Sequence, residues 1–214
     1  RGVKREHPEL YLRIFVVTLL CSIIFIPYHT AHAAVASSGL MIPLYTYPGP
    51  TWDTVVQEKK AHPDVPMIVI INPKNGSDTS ADPNYLAGVQ KLQSEGILVL
   101  GYMHTNYAAR NSTDVFAEID NYKNWYGVNG TFFDEMSNTA GNEGYYSNLS
   151  SYAKSVGLTM TVGNPGHDTL PSYVGTVDNI VIHDNNGLPS DSLLGGWHTD
   201  HAKSNFSILA YGVD

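Results

Sequence analysis

From residue 40 onward the chain repeats one unit: a short apolar run, a polar loop, then an amphipathic segment. The apolar runs are LMIPLYTY (40–47), MIVIIN (67–72), ILVLGYM (97–103), GTFFDE (130–135), LTMTVGN (158–164), NIVIHD (179–184) and SILAYG (207–212). Most are continuous rather than alternating, which is the pattern of strands covered on both faces. Between them the spacing predicts helices. TWDTVVQEKKAH starts at a Thr cap. DPNYLAGVQKLQSEG has Asp82 as cap, Pro83 in the first turn and Gly96 as stop, and STDVFAEIDNYKNWYG and NEGYYSNLSSYAKSVG both end at Gly. The segments after 165 and 187 read as short helices or loops.

Strands alternating with helices, at about 25 to 35 residues per unit, predict an α/β fold of the TIM-type (β/α) barrel class. A doubly wound sheet is the alternative, but its usual Gly-rich nucleotide loop is missing, since YPGPTWD after the first run is not G-x-G-x-x-G. Seven runs are one short of a complete barrel, so the expectation is a barrel truncated or left incomplete after strand seven. It occupies residues 34–214.

Residues 1–33 read differently. A basic RGVKRE, an apolar YLRIFVVTLLCSIIFI and small residues in AHAA make a secretory signal peptide with cleavage after Ala33. The runner-up is an uncleaved membrane anchor, but the apolar run is interrupted by Arg13 and stopped by Pro27, short of the roughly 20 residues a span needs. The expected location is therefore extracellular.

Removing that segment changes the charge picture. Of 12 basic and 20 acidic residues, four basic and two acidic lie before residue 34, which leaves a net charge near −10. Nucleic acid and anionic membrane are thereby disfavoured as partners of the mature form. The single cysteine, Cys21, also lies in the signal, so no disulfide, thiolate nucleophile or Cys-based metal site is expected afterwards.

Polar residues gather at the carboxyl ends of the strands, where barrels of this type place their chemistry. Those ends carry Tyr45 and Tyr47; Asn72; Tyr102 and His104; Asp134 and Glu135; Asn164; His183, Asp184 and Asn185; and Tyr211. Neighbouring residues on a strand point to opposite faces. Asp134 and Glu135 can both serve one site only where the strand is ending. Two carboxyl groups in different surroundings can take separate acid and base or nucleophile roles, the equipment of glycoside hydrolysis. The bland alternative is a cap at Asp134 and a solvated Glu135. Tyr and Trp suit sugar stacking, and Tyr45, Tyr47, Tyr102, Trp197 and Tyr211 are the candidates, although most of the 14 tyrosines are better read as partly buried packing.

The segments PLYTYPGPTWDTV, HPDVPMIVIINPKNG, DPNYLAGVQKLQSEGILVLGYMHTNYAAR, EIDNYKNWYGVNGTFFDE, YYSNLSSYAKSVG and TVGNPG follow one another in an order that resembles the spherulin-4 family, spherulation-specific family 4. The resemblance runs over roughly residues 40 to 185. It implies a TIM-type barrel like that of glycoside hydrolases, and a secreted endo-α-1,4-galactosaminidase-like activity on amino-sugar-containing exopolysaccharide. It also implies that Asp134 and Glu135 match the family's essential Asp-Glu after strand four, and that a third acid follows strand six. There the sequence departs: IVIHDN places His183 and Asp184 where the family usually has Glu. Asp is one methylene shorter, and a displacement of about 1 Å in such a site can cost on the order of 100-fold. At strand three the family often has Asp where His104 stands.

The expected catalytic residues are Asp134, Glu135 and Asp184. The expected substrate-binding residues are Tyr45, Tyr47, Asn72, Tyr102, His104, Asn164, His183, Trp197 and Tyr211. No cofactor or metal is expected, and the protein is read as a monomer acting on a polysaccharide. Metal binding by His104, His183 and the acids, or by His198 and His201, is the chemical rival, but no H-E-x-x-H is present. G-x-S-x-G is also missing. The non-enzyme rival is a carbohydrate-binding barrel that uses the aromatic residues alone. An enzyme needs two carboxyl groups within about 5 to 9.5 Å of each other, which a lectin does not.

Overall fold

The computed structural model describes residues 38–213. The signal expected over residues 1–33 lies outside them. Along the chain run β1 (Leu40–Leu44), α1 (Pro50–Ala61), β2 (Met67–Ile71), α2 (Pro83–Ser94), β3 (Leu98–His104), α3 (Ser112–Asn121), β4 (Gly130–Asp134), α4 (Glu143–Ser155), β5 (Met160–Asn164), β6 (Asn179–Asn186), α5 (Asp191–Leu194) and β7 (Phe206–Tyr211). The seven strands pair in sequence order and all are parallel. The sheet curls into a TIM-type barrel in which, among the described residues, β1 pairs only with β2 and β7 only with β6. Among these residues no helix is long and apolar enough to cross a membrane.

Two apolar layers show the curl. Ile70, Leu100, Tyr102, Phe132, Val162, Val181 and Leu209 cluster together, joined by Met41, Ile68 and Met160, and they fill the interior. The alternate residues, among them Val69, Ile71, Val99, Met103 and Phe133, join a second and larger cluster with Val55, Val89, Leu92, Val115, Ile119 and Leu149 of the helices. Both faces of each central strand are therefore buried, which is why the sequence runs are continuous.

Helix starts follow local chemistry. Asp82 accepts a hydrogen bond from the Asn84 amide, and Asn111 from that of Thr113. α1 departs from the expectation. Pro50 occupies its first turn, Gly49 stands at its cap without a side-chain bond, and Thr51 lies inside the helix. The proline's fixed φ and missing N–H make it the better first-turn residue, so the cap moves from Thr51 to Gly49 and the helix begins two residues earlier. After α3 the chain widens into a π-helical turn over Tyr122–Tyr126, closed by Gly127 at φ 64°. Tyr122 from this turn packs flat over Gly101 of β3, where any Cβ would run into its ring.

Candidate active site

The inward parity of the strands sets the site. In β4, Phe132 lies in the interior cluster, so Asp134, two residues on, also faces the axis. Strand register places His104 of β3 beside Asp134 and Asp134 beside Asn164 of β5, three polar groups at one level above the interior apolar layer. One layer below, Tyr102 is 6% exposed and donates its hydroxyl to Asp134 Oδ2 at 2.7 Å.

β6 reaches that level through a bulge. Its pairing with β7 runs Val181 with Ser207, then His183 with Ile208, then Asp184 with Leu209, with a register shift between Val181 and His183. Leu209 is an interior residue, so the residue beside it faces inward. The extra residue reverses the alternation and presents Asp184, not His183, to the barrel mouth. His183 instead places Nε2 3.0 Å from the carbonyl oxygen of Gly187.

Asn164 joins the two acids. Its Nδ2 donates to Asp134 Oδ1 at 2.9 Å and to Asp184 Oδ2 at 2.9 Å. Its Oδ1 accepts from the Gly166 amide at 3.0 Å, which fixes which end of the side chain is the donor. Asn164 is 3% exposed and this network uses both of its N–H groups.

Glu135 leaves the strand in an unusual way. Its φ is 50°, left-handed for a residue with a side chain, a conformation that costs on the order of 1–3 kcal/mol. The loop after β3 holds it there. The Thr105 hydroxyl is shared between the carbonyl oxygens of Asp134, at 3.0 Å, and Glu135, at 2.8 Å. The Tyr107 amide also donates to the Glu135 carbonyl at 2.8 Å. Asn106, Tyr107 and Ala108 are themselves left-handed, and the loop is pinned by Arg110, which bonds the His104 carbonyl and both carboxylate oxygens of Glu118. Both Asp134 and Glu135 are half-buried.

The tyrosines record the charge here. Burial pushes the Tyr102 phenol far above its ordinary pKa, helped by its hydrogen bond to Asp134 and by the negative charges of Asp134 and Glu135. Tyr45 is raised for the same first reason, with Asp134 and Asp184 adding to it. Tyr45 meets the Tyr102 ring edge-on, centroids 5.6 Å apart, so it stands over the same acids.

The remaining expected residues divide. The Nδ1 of His104 faces the Asn75 carbonyl oxygen at 3.3 Å, and Asn72 Oδ1 accepts the Gly76 amide at 3.0 Å, so both shape the loop after β2. Tyr211 is exposed at the carboxyl end of β7. Tyr47 and Trp197 are not brought into the acid cluster. The Tyr47 hydroxyl bonds Asp82 and Asn84 at the start of α2, while the Trp197 indole packs on His198 and on Phe206, the first residue of β7. Among the described residues no group of three or more His, Cys, Asp or Glu side chains is placed to hold a metal ion.

Sequence reasoning missed Thr105 and Tyr146. The Ser137 amide donates to the Tyr146 hydroxyl at 2.7 Å, which lies 2.9 Å from the Thr105 hydroxyl. One buried relay thus ties the loops after β3 and β4 to α4. A Tyr inside an amphipathic helix carries no mark of this role. Tyr107, 55% exposed beside Glu135, was also missed, and its only signal was the polar stretch HTNYAAR.

The profile of spherulation-specific family 4 matches residues 39–214. Spherulin-4 of Physarum polycephalum is 38% identical over 161 residues, 74% of this chain and 48% of that protein, so the chain spans about half the length of that relative. The crystal structure of Aspergillus clavatus Sph3 in complex with GalNAc superimposes with a TM-score of 0.72 at 29% identity, covering 83% of this chain and 79% of that one. The C-terminal domain of a putative chitinase from Desulfitobacterium hafniense shares the fold, with a TM-score of 0.50 at 14% identity over 68% of this chain and 54% of that one.

Proposed function

We propose, from the premise that this chain belongs to spherulation-specific family 4, that it is a secreted glycoside hydrolase acting on an amino-sugar-containing exopolysaccharide. The first choice of substrate is an α-1,4-linked galactosamine polymer cut internally. The observation that carries the reading is the bridged pair Asp134 and Asp184 at the mouth of the barrel, with Glu135 beside them. A binding protein has no need of hydrogen-bonded carboxylates from two strands on one amide. The GalNAc held by the Sph3 structure supports a sugar of that class as the ligand here.

In this reading Asp134 or Glu135 supplies one catalytic carboxyl and Asp184 the other. The proton donor must reach the glycosidic oxygen and its partner the anomeric carbon or a water, a division that suits carboxyl groups in unlike surroundings. Tyr45 and Tyr107 offer exposed ring area at the mouth for sugar faces. Tyr102 is too buried for that and serves Asp134 from below.

The test is release of reducing ends from a partly deacetylated α-1,4-linked N-acetylgalactosamine polymer by purified protein. Asp134→Asn and Glu135→Gln should each lower the rate by at least ~100-fold, the scale of lost acid–base catalysis. Binding of the polymer without cleavage by wild type and both variants would make the protein a carbohydrate-binding barrel instead. N-terminal sequencing of protein recovered outside the cell checks the signal expected over residues 1–33.

A further inference from the structure

We propose that Tyr47, with Asp82 beside it, forms an outlying subsite for the polymer on the rim of the barrel, and that this subsite takes a pyranose carrying a free 2-amine. The proposal rests on the hydrolase reading above for the identity of the polymer. It goes further, to a contact away from the acids that selects deacetylated units.

Tyr47 is exposed and yet fixed. It is 58% exposed. An exposed tyrosine with nothing to hold it turns freely, and a ligand that stacks on it must first stop that motion. This ring is held at both ends. Its hydroxyl donates to Asp82 Oδ2 at 2.9 Å and accepts from Asn84 Nδ2 at 2.7 Å. The ring meets that of Tyr85 at 86°, centroids 5.5 Å apart. Tyr85 is buried and meets the buried Trp52 ring in the same manner, so the support belongs to the core. The Trp52 indole also donates to the Thr46 carbonyl at 3.1 Å, which fixes the backbone just before Tyr47. A T-shaped contact covers at most one face of a ring, so the other face of Tyr47 is open to a sugar.

The platform lies at the same end of the barrel as the acids. Asp82 caps α2, and the helix that follows a barrel strand begins at that strand's carboxyl end. Tyr45 meets Tyr102, which in turn bonds Asp134. Two residues of chain reach at most about 7 Å, so Tyr47 follows Tyr45 at the spacing of linked pyranoses. A polymer that crosses the mouth can rest neighbouring units on the two rings.

The carboxylate gives the subsite its preference. Asp82 Oδ1 accepts from the Asn84 amide and Oδ2 from Tyr47, and each ionised oxygen keeps a lone pair. Asp78, on the loop before it, pairs with Lys74, whereas among the described residues no basic side chain pairs with Asp82. An ammonium on the stacked sugar meets this carboxylate and the negative face of the ring together. An acetamide brings no charge to either.

The test measures affinity, in a Glu135→Gln background that keeps the polymer whole. The probes are an α-1,4-linked N-acetylgalactosamine polymer and the same polymer partly deacetylated, read by affinity electrophoresis. Tyr47→Ala should weaken binding of the deacetylated polymer about 3- to 10-fold. Asp82→Asn keeps the α2 cap, since Asn caps as well as Asp, and removes the charge. It should weaken binding of the deacetylated polymer about 2- to 5-fold, leave the acetylated polymer unaffected, and lose its effect in high salt. Unchanged binding in Tyr47→Ala, or no binding of either polymer by the parent protein, overturns the subsite. An equal loss on both polymers in Asp82→Asn, or none on either, overturns its preference for the amine. Where Tyr47→Ala does not fold, Asp82→Asn decides. Cleavage by wild type with binding unchanged in Tyr47→Ala removes the subsite and leaves the hydrolase reading. Weakened binding in Tyr47→Ala without cleavage by wild type does the reverse.

Discussion

The buried hydroxyl of Thr105, on the loop after β3, lies 2.8 Å from the carbonyl oxygen of Glu135, the residue at which the backbone of β4 turns left-handed. It also takes part in the relay through Tyr146 to the Ser137 amide. The conformation that turns Glu135 out of the strand is thus held by a neighbouring loop.

Replacing that hydroxyl should therefore reach the site. Thr105→Val keeps the shape but leaves two carbonyl oxygens without its hydrogen and the Tyr146 hydroxyl without its acceptor. A buried polar group left unpaired costs about 1–3 kcal/mol. Chemical denaturation should show a loss of that size, and kcat should fall while polymer binding persists. Unchanged stability would mean that the loop holds its left-handed turn without Thr105.

Asp184→Glu tests the length of the third acid. The bulge in β6 aims this side chain inward, and Asn164 bonds it at 2.9 Å. If the chain departs from its family here by lost reach, the added methylene should raise kcat, by up to about 100-fold if the present shortfall is near 1 Å. A fall in rate would mean that the bulge already compensates for the shorter side chain. Initial rates of reducing-end release for the two proteins decide it.

Alkaline pH should unfold this protein early. Burial raises the phenols of Tyr102 and Tyr122, and it pushes Tyr85 and Tyr145 up to about 12. Each native pKa is then above the value near 10 of the unfolded chain, so the folded state holds protons that the unfolded state has lost. This contribution is complete below pH 10 and is lost as pH rises through the native values. The urea midpoint should be flat between pH 8 and pH 9.5 as far as these tyrosines govern it, and should fall steeply between pH 10 and pH 12. A flat midpoint over the higher range would show that the phenols are not buried as described.

Gly163 should not tolerate a methyl group. It precedes Asn164 on β5 and faces outward, where a Cβ would run into the sulfur of the buried Met136. Gly163→Ala should cost about 1–3 kcal/mol through overpacking. Because Asn164 is the next residue, kcat should fall as well. Shortening Met136 in the same molecule should recover part of the loss, and a double-mutant cycle measures that coupling.

The strand runs, their order and the continuous apolar character of β2 to β5 were legible along the chain, because a strand buried on both faces must be apolar at every position. So was the carboxyl-end clustering of polar groups, and with it Asp134, whose inward direction follows from Phe132 two residues before it. Asp82, Pro83 and Gly96 marked α2 by purely local chemistry. What only the tertiary structure decided depends on partners far away in sequence. NIVIHD reads as an ordinary strand, and the extra residue in β6 exists only relative to its pairing with β7, so nothing in the run itself could choose between His183 and Asp184. Tyr47 and Trp197 carry the same rings as Tyr45, but they pack on α2 and Phe206, and a side chain's type does not say which surface it will meet. Asn164 looked like a sugar contact because it stands at a strand end; two carboxylates from β4 and β6 converge on its amide, a relation created when the sheet curls.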